Sequence, residues 1–339
     1  MAPSIHIGNI LLKSPVVYAP LAGFSDYPYR KMSSFYGPPA LMFCEMVKVE
    51  GVHYSPARTL KLLEYSESMR PIGGQLCGSK PEMVGEAAKV LEGLGFDLID
   101  LNCGCPTDRI TKDGSGSGLL KSPELIGKVL EKIVEAVSVP VTVKIRSGWD
   151  GSNINVEETV RIIRDAGASA VFVHGRTRVQ GYVGPSNLEY IARAKAAAGK
   201  DFPVFGNGDV FSPEAAKLML DSTQCDGVLV ARGTMGAPWI VRQIESYLTR
   251  GTYQKVLFSQ RKQAFIQHLQ WVEEYYQSEA KFLSETRKLC GHYLISASKV
   301  RFLRSALSKA TSVQEVYQLI EDYEEADDEP GETSDLNKC

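Results

Sequence analysis

The most chemically suggestive stretch of the chain is Asn102-Cys103-Gly104-Cys105-Pro106. Two cysteines lie within three residues, at the end of the short apolar run Leu98-Ile-Asp-Leu101. A small core residue is the usual role of a free cysteine, and it suits Cys44, Cys77, Cys103, Cys225 and Cys290. Cys105 fits that role poorly, because Gly104 and Pro106 set it in a turn. An ordinary thiol there is mostly protonated at neutral pH and can act as an acid. Zinc is not expected, since no Cys or His pair of matching spacing accompanies Cys103 and Cys105.

A second set of residues suits an anion. Gly206-Asn-Gly-Asp-Val210 and Arg232-Gly-Thr-Met-Gly236 each combine glycines with polar residues. Such loops let backbone N–H groups approach a phosphate, and Arg232 adds a charge partner. Lys144 and His174 lie near the ends of the apolar runs Val141–Ile145 and Ala170–His174. If they point inward they need a counter-group, such as a phosphate or an electron-rich ring. Gln75, ending Pro71–Leu76, is a neutral donor and acceptor. An inward lysine among anion-binding loops, without a paired carboxylate set, suggests a phosphorylated cofactor.

Positioning these groups requires a particular alternation. Eight short apolar runs read as strands: 16–18, 41–47, 71–76, 98–102, 141–145, 170–174, 204–207 and 227–231. Helical patterns separate them, for example Pro81–Leu94, with proline in its first turn and Gly95 as a stop. Buried parallel strands alternating with helices over about 245 residues predict a (β/α)8 TIM barrel in the α/β class. A doubly wound sheet would want a glycine-rich turn after its first strand, which is missing here. In a barrel the ligand lies at the C-terminal ends of the strands, with phosphate held after strands seven and eight. The two glycine loops fall there. The segment 107–120 has many glycines and no hydrophobic period, and reads as a mobile loop over the site.

Beyond residue 250 the strand signal stops and helical patterns cover 254–280, 283–294 and 296–325. The expected division is a catalytic barrel over 1–250, a small all-helical C-terminal domain over 251–325 and an acidic, disordered tail over 326–339. Between Lys255 and Lys309 there are ten Lys/Arg against four Glu. That balance fits phosphate contacts better than the chain's overall net charge of −2 suggests. The remaining composition is ordinary: 339 residues, 44% hydrophobic and 23% charged. There is no apolar run of transmembrane length and no basic-plus-apolar leader. Seven cysteines without framework spacing fit a reducing cytoplasm.

Taken together, the motifs resemble those of the tRNA-dihydrouridine synthases, most closely the bacterial B type. The residues carrying the resemblance are Pro20-Leu-Ala-Gly-Phe-Ser-Asp26, Gln75-Leu-Cys-Gly78, Asp100-Leu-Asn-Cys-Gly-Cys-Pro106, Gly116-Ser-Gly-Leu-Leu120, Val143-Lys-Ile-Arg146, Val173-His-Gly-Arg176, Gly206-Asn-Gly-Asp209 and Ala231-Arg-Gly233. The chain departs from the family's usual residues at Leu21, Cys103, Ala231, Leu289 and His292.

The resemblance implies an FMN oxidoreductase that reduces uridines in tRNA with NADPH as reductant. It implies that Pro20, Leu21 and Ala22 pack along the flavin, and that Gln75 and Lys144 bond its ring. His174, Asn207, Gly208, Asp209, Ala231, Arg232 and Gly233 would hold the ribityl phosphate arm. Asn102 would lie between flavin and uracil, Cys105 would be the acid, and Arg287 and Lys288 would meet the RNA. Reducing a uracil double bond needs a hydride at one carbon and a proton at the other. A base inside folded RNA must be flipped out to receive them. Two other readings share these residues: a flavin barrel reducing a free pyrimidine, and a barrel that only binds RNA. The basic helices argue against the first; Cys105, Lys144 and both anion loops argue against the second.

Overall fold

The computed structural model describes residues 4–54, 56–295 and 300–323. The acidic tail over 326–339 and Lys299 lie outside these residues. The chain begins with a hairpin, β1 (Ile5–Ile7) and β2 (Ile10–Leu12). The barrel strands follow: β3 (Val16–Tyr18), β4 (Met42–Phe43) with a short extension β5 (Val47–Lys48), β6 (Ile72–Cys77), β7 (Leu98–Cys103), β8 (Val141–Arg146), β9 (Ala170–His174), β10 (Val204–Asn207) and β11 (Gly227–Val230). All the barrel pairings are parallel, in the order β3-β11-β10-β9-β8-β7-β6-β4. A parallel bridge between Val17 and Leu41 brings the two ends of that order together. The eight-stranded TIM barrel is thus the observed fold. The second predicted strand is the exception in detail. It splits into β4 and β5 around Glu45, whose carboxylate turns aside to accept the Gly23 N–H.

The helices are α1 (Tyr27–Tyr36), α2 (Val49–Tyr54), α3 (Pro56–Leu63), α4 (Pro81–Gly93), α5 (Asp108–Thr111), α6 (Pro123–Ala136), α7 (Val156–Asp165), α8 (Leu188–Ala198), α9 (Pro213–Thr223) and α10 (Ile240–Arg250). Proline opens α4, α6 and α9, where its missing N–H costs no intrahelical bond. The lower barrel is filled by the rings of Phe43, Phe172 and Phe205, with centroids 5.5 and 5.1 Å apart along that row. Ile7 and Leu12 of the hairpin close this apolar floor from beneath. The upper half is polar, and the site lies there.

The stretch after β7 differs from its expected form. Residues 107–121 are not a free flap; they fold into α5 and a 3₁₀ turn at Gly116–Lys121. Ile110, Leu119 and Leu120 are buried, and three isolated apolar residues suffice to anchor a segment without any period. Ser117 adds two bonds to the Cys105 carbonyl, from its N–H (3.1 Å) and its hydroxyl (2.8 Å). Asp113 pairs with Lys48.

The helical region comprises α11 (Phe258–Tyr276), α12 (Glu279–Tyr293), α13 (Val300–Lys309) and α14 (Val313–Glu321). The single helix expected over 296–325 is two, because Ser312 caps a new start by accepting the Glu315 N–H while Glu315 accepts from Thr311. An aromatic seam joins this region to α1. Tyr27 stacks on Tyr275 at 5.1 Å, Phe35 meets Trp271 edge-on, and the Tyr276 hydroxyl donates to Asp26 at 2.7 Å.

His268 lies fully inside that seam, its Nδ1 3.0 Å from the Tyr293 hydroxyl. Burial, then the nearby Lys288 charge, hold its pKa down to about 3. The unfolded chain therefore binds a proton below about pH 6.5 that the folded chain refuses. Stability is expected to fall on acidification from pH 6.5 toward 3, by about 1.4 kcal/mol per pH unit from this group. Thermal unfolding midpoints of wild type and His268→Gln across that range check this, and parallel pH profiles would refute it.

Candidate active site

Strand register gathers the chemistry at the top of the barrel. Asn102 pairs with Lys144, Arg146 with His174, and His174 with Asn207. A cavity of about 360 Å³ opens there. It is lined by every proposed cofactor residue: Pro20, Leu21 and Ala22; Gln75, Lys144 and His174; Asn207, Gly208 and Asp209; Ala231, Arg232 and Gly233. Asn102 and Cys105 line it too.

The wall beneath Cys105 is one hydrogen-bonded chain. The Thr142 hydroxyl donates to Asp100 Oδ1 (2.7 Å) and Gln75 Nε2 to Asp100 Oδ2 (2.7 Å). Asn102 Nδ2 donates to Gln75 Oε1 (2.8 Å). Asn102 Oδ1 accepts the backbone N–H groups of Gly104 (3.1 Å) and Cys105 (2.8 Å). Asp100 is 1% exposed, and burial raises its pKa to about 6 against the opposing pull of these bonds and of Lys144. The Cys105 thiol is half-buried, 3.2 Å from the Thr107 hydroxyl.

The opposite wall is cationic. Lys144 Nζ donates to Asn207 Oδ1 (3.1 Å), and Asn207 Nδ2 to the Leu229 carbonyl (2.7 Å). Burial, then the Arg146 charge, lower the Lys144 pKa to about 8. His174 lies among Lys144, Arg146, Arg176 and Arg232; desolvation first and these charges next push its pKa well below the usual value, so the ring is neutral. Arg176 donates to Asp209 (2.7 Å), and Arg232 meets the other Asp209 oxygen at 3.3 Å. Arg232 also lies over the rings of Tyr182 (4.5 Å) and Phe211 (5.3 Å), which hold its guanidinium in place.

These residues suit a phosphate. Among the described residues the backbone N–H groups of Asp209, Arg232 and Gly233 meet no acceptor within the chain. Gly208 has φ 119°, and a Cβ there would fall 2.2 Å from the Ser186 hydroxyl oxygen. Only glycine permits this turn between Asn207 and Asp209.

Two residues expected at the RNA have other partners. Arg287 is exposed, but its guanidinium donates to the carbonyls of Ser308 (3.0 Å) and Ala310 (3.2 Å), tying α12 to the end of α13. Lys288 donates to the Gly23 carbonyl (2.8 Å), pairs with Glu285 and lies 4.8 Å from the centroid of Phe24, which lines the cavity. It therefore fastens α12 to the cavity mouth. Neither Arg287 nor Lys288 lines the cavity itself.

Sequence reasoning singled out neither Tyr182 nor a role for Asp100. Nothing marks Tyr182, which sits in the loop after β9. Asp100 carried a signal: a carboxylate in the middle of a buried strand demands partners.

The family described as dihydrouridine synthase (Dus) matches residues 17–328. A probable tRNA-dihydrouridine synthase 1 of Synechocystis is 38% identical over 94% of this chain and 89% of its own length. A tRNA-dihydrouridine synthase B of Pseudomonas syringae is 34% identical over 90% of each chain. Among solved structures, histamine dehydrogenase from Rhizobium superposes with a TM-score of 0.57 at 16% identity, over 79% of this chain and 50% of that one. An old yellow enzyme homologue from Zymomonas mobilis gives 0.50 at 13% identity, over 75% of this chain and 94% of that one. At such identities these two likenesses concern the barrel alone. With a matching family description over nearly its whole length and relatives above 30% identity across nine-tenths of it, the chain belongs to the dihydrouridine synthase family.

Proposed function

We propose that this protein is an oxidoreductase that reduces the 5,6 double bond of uracil in specific tRNA uridines, using FMN and NADPH. The observation that carries this reading is the shared cavity: Cys105 on one wall, Lys144 and the anion cradle on the other. Bound FMN would supply a hydride to one carbon of the double bond. Cys105 then holds the proton for the other carbon, with its loop fixed by Asn102. Lys144 and Gln75 bond the ring edge. A cation at Lys144 favours the negative charge that the ring carries when reduced. Neutral His174 is a hydrogen-bond partner rather than a charge, and Asn207, Gly208, Asp209, Ala231, Arg232 and Gly233 take the phosphate arm. Pro20, Leu21 and Ala22 supply the apolar face. Asn102, with one amide oxygen and one N–H already committed, stands between cofactor and base.

Because a uridine must leave its stack to enter this cavity, the RNA has to be gripped at its mouth. The basic helical region supports that task, since α12 borders the mouth through Lys288 and His292 against Phe24. Arg287 shapes this surface through two bonds to backbone carbonyls, and its exposed guanidinium has further N–H donors to offer the RNA. The six described cysteines are free, which suits a cytoplasmic enzyme. No helix among the described residues is long and apolar enough to cross a membrane.

The deciding experiment measures dihydrouridine with NADPH in three substrates: unmodified tRNA transcript, tRNA from a strain lacking the modification, and free uracil. Product in either tRNA with none from uracil is expected. Product from uracil alone would make the protein a reductase of free pyrimidines. A protein that takes up no FMN and forms no product would be an RNA-binding barrel.

A further inference from the structure

Asp100 lies in a chain of hydrogen bonds whose direction is held at both ends, by its carboxylate on one side and by the Gly104 and Cys105 N–H groups on the other. Gln75 and Asn102 each present one oxygen and one NH₂ group, and either amide could in principle be turned round. A carboxylate has no proton to donate. Gln75 must therefore show Asp100 its Nε2, at 2.7 Å, and leave Oε1 for Asn102. Asn102 must then show Gln75 its Nδ2, which leaves Oδ1 for two backbone N–H groups, those of Gly104 and Cys105. All three side chains are buried, so an inverted amide would set like groups against each other at its neighbours. Resting on the function proposed above, we propose that Asp100 is a positioning residue for the reaction. Through the enforced polarity of Gln75 and Asn102 it fixes the loop that presents the Cys105 thiol, with the Thr142 hydroxyl as the adaptable end of the chain.

Thr142 matters because a hydroxyl can donate or accept. It donates to Asp100 Oδ1 at 2.7 Å and is fully buried. In Asp100→Asn the new NH₂ can face Thr142, whose hydroxyl rotates to accept it. The amide oxygen then still faces Gln75 and the polarity survives. With Thr142→Val as well, that acceptor is gone. The NH₂ introduced by Asp100→Asn can then find an acceptor only by turning to Gln75 and inverting its amide, against the hold that the Gly104 and Cys105 N–H groups keep on Asn102. Nε2 of Gln75 then meets Nδ2 of Asn102, Asn102 inverts in turn, and its NH₂ is driven against the Gly104 and Cys105 N–H groups. The damage appears at a loop that neither mutated side chain touches.

The test uses full-length protein with Asp100→Asn, Thr142→Val, the double variant, and Asp100→Asn with Thr142→Ser. Two readouts are taken. The first is the alkylation rate of Cys105 in flavin-free protein, followed by mass spectrometry of its peptide. The second is single-turnover oxidation of the reduced holoenzyme by tRNA, with kcat and KM separated. Each single variant should lose only two- to fivefold in turnover. The double should lose about tenfold or more beyond the product of the singles, in kcat and not in KM for tRNA, with a changed Cys105 alkylation rate. Thr142→Ser in place of Thr142→Val should restore the behaviour of Asp100→Asn alone. Additive losses, or an unchanged alkylation rate in the double, would overturn the proposal. So would a folded Asp100→Asn that by itself abolishes turnover, and that result needs no double variant. Should wild type make no dihydrouridine at all, the proposed function fails, while the flavin-free alkylation rates still judge the chain from Asp100 to Cys105.

Discussion

Cys105→Ala is expected to yield a protein that binds flavin normally, accepts electrons from NADPH at the wild-type rate, and then stalls with tRNA. The loss in the second step should be about 10²- to 10⁴-fold, the range for removing a positioned proton donor. The separation follows from how the residue is held. Its backbone N–H goes to Asn102 and its carbonyl receives Ser117, so the loop keeps its anchors when Sγ is removed. The thiol's own hydrogen-bond partner is the Thr107 hydroxyl, outside the cofactor-binding set. The measurement is anaerobic: reduce the flavin with NADPH, mix with tRNA, and follow the return of flavin absorbance. Equal slowing of both steps would assign Cys105 to the cofactor site instead of the acid role, and no slowing would remove it from the reaction.

Lys144→Met should act on the opposite half of the cycle. Its ammonium is the cation facing Asn207 in the upper barrel, and methionine fills a similar volume without charge. Weaker flavin binding, by about tenfold or more, and slower reduction by NADPH are expected, because a charge-assisted hydrogen bond to a buried partner contributes about 1.5–3 kcal/mol. A pH dependence accompanies it. Burial and then Arg146 hold the Lys144 pKa down to about 8. As pH rises through 8 the site loses its proton, and an anionic ligand must draw one from solution to restore the charge. Wild-type affinity for FMN should therefore decline between pH 7 and pH 9, whereas the methionine variant should show a flatter profile. Fluorescence titration of flavin at the two pH values measures this. A decline as steep in the variant as in wild type would exclude Lys144 as its source.

Much of this site was legible because it is built from strand ends. Short buried runs such as Val204–Asn207 and Gly227–Val230 announce themselves by composition, and the barrel rule then says which end carries ligand. Cys105, Lys144, His174 and the two glycine loops follow from that rule, Asn102 from the family resemblance, and all of them meet in one cavity. What escaped was tertiary in origin. Ile110, Leu119 and Leu120 have no shared period, so their anchoring of 107–121 could not be read locally. The break before Ser312 was hidden because both flanking stretches have helical composition. Nothing local shows that two of the Arg287 N–H groups bond carbonyls that become neighbours only after α12 and α13 pack. Tyr182 is informative only beside Arg232, fifty residues later.

The contact between α12 and the loops after β3 and β11 has a consequence for how this molecule can change. Gly236 lies so close to the backbone of His292 that a Cβ would come within 2.2 Å of its carbonyl oxygen. Lys288 meanwhile holds the Gly23 carbonyl, one residue beyond the apolar face formed by Leu21 and Ala22. The helical region is thus not an interchangeable handle bolted to a generic catalyst. A platform with a different helix register would collide at Gly236 or leave the Gly23 carbonyl unheld, and either would disturb the cavity wall at Leu21 and Ala22. On the proposed function, substitutions that retarget the RNA surface are thereby coupled to substitutions in the cofactor loops, and the two must diverge together.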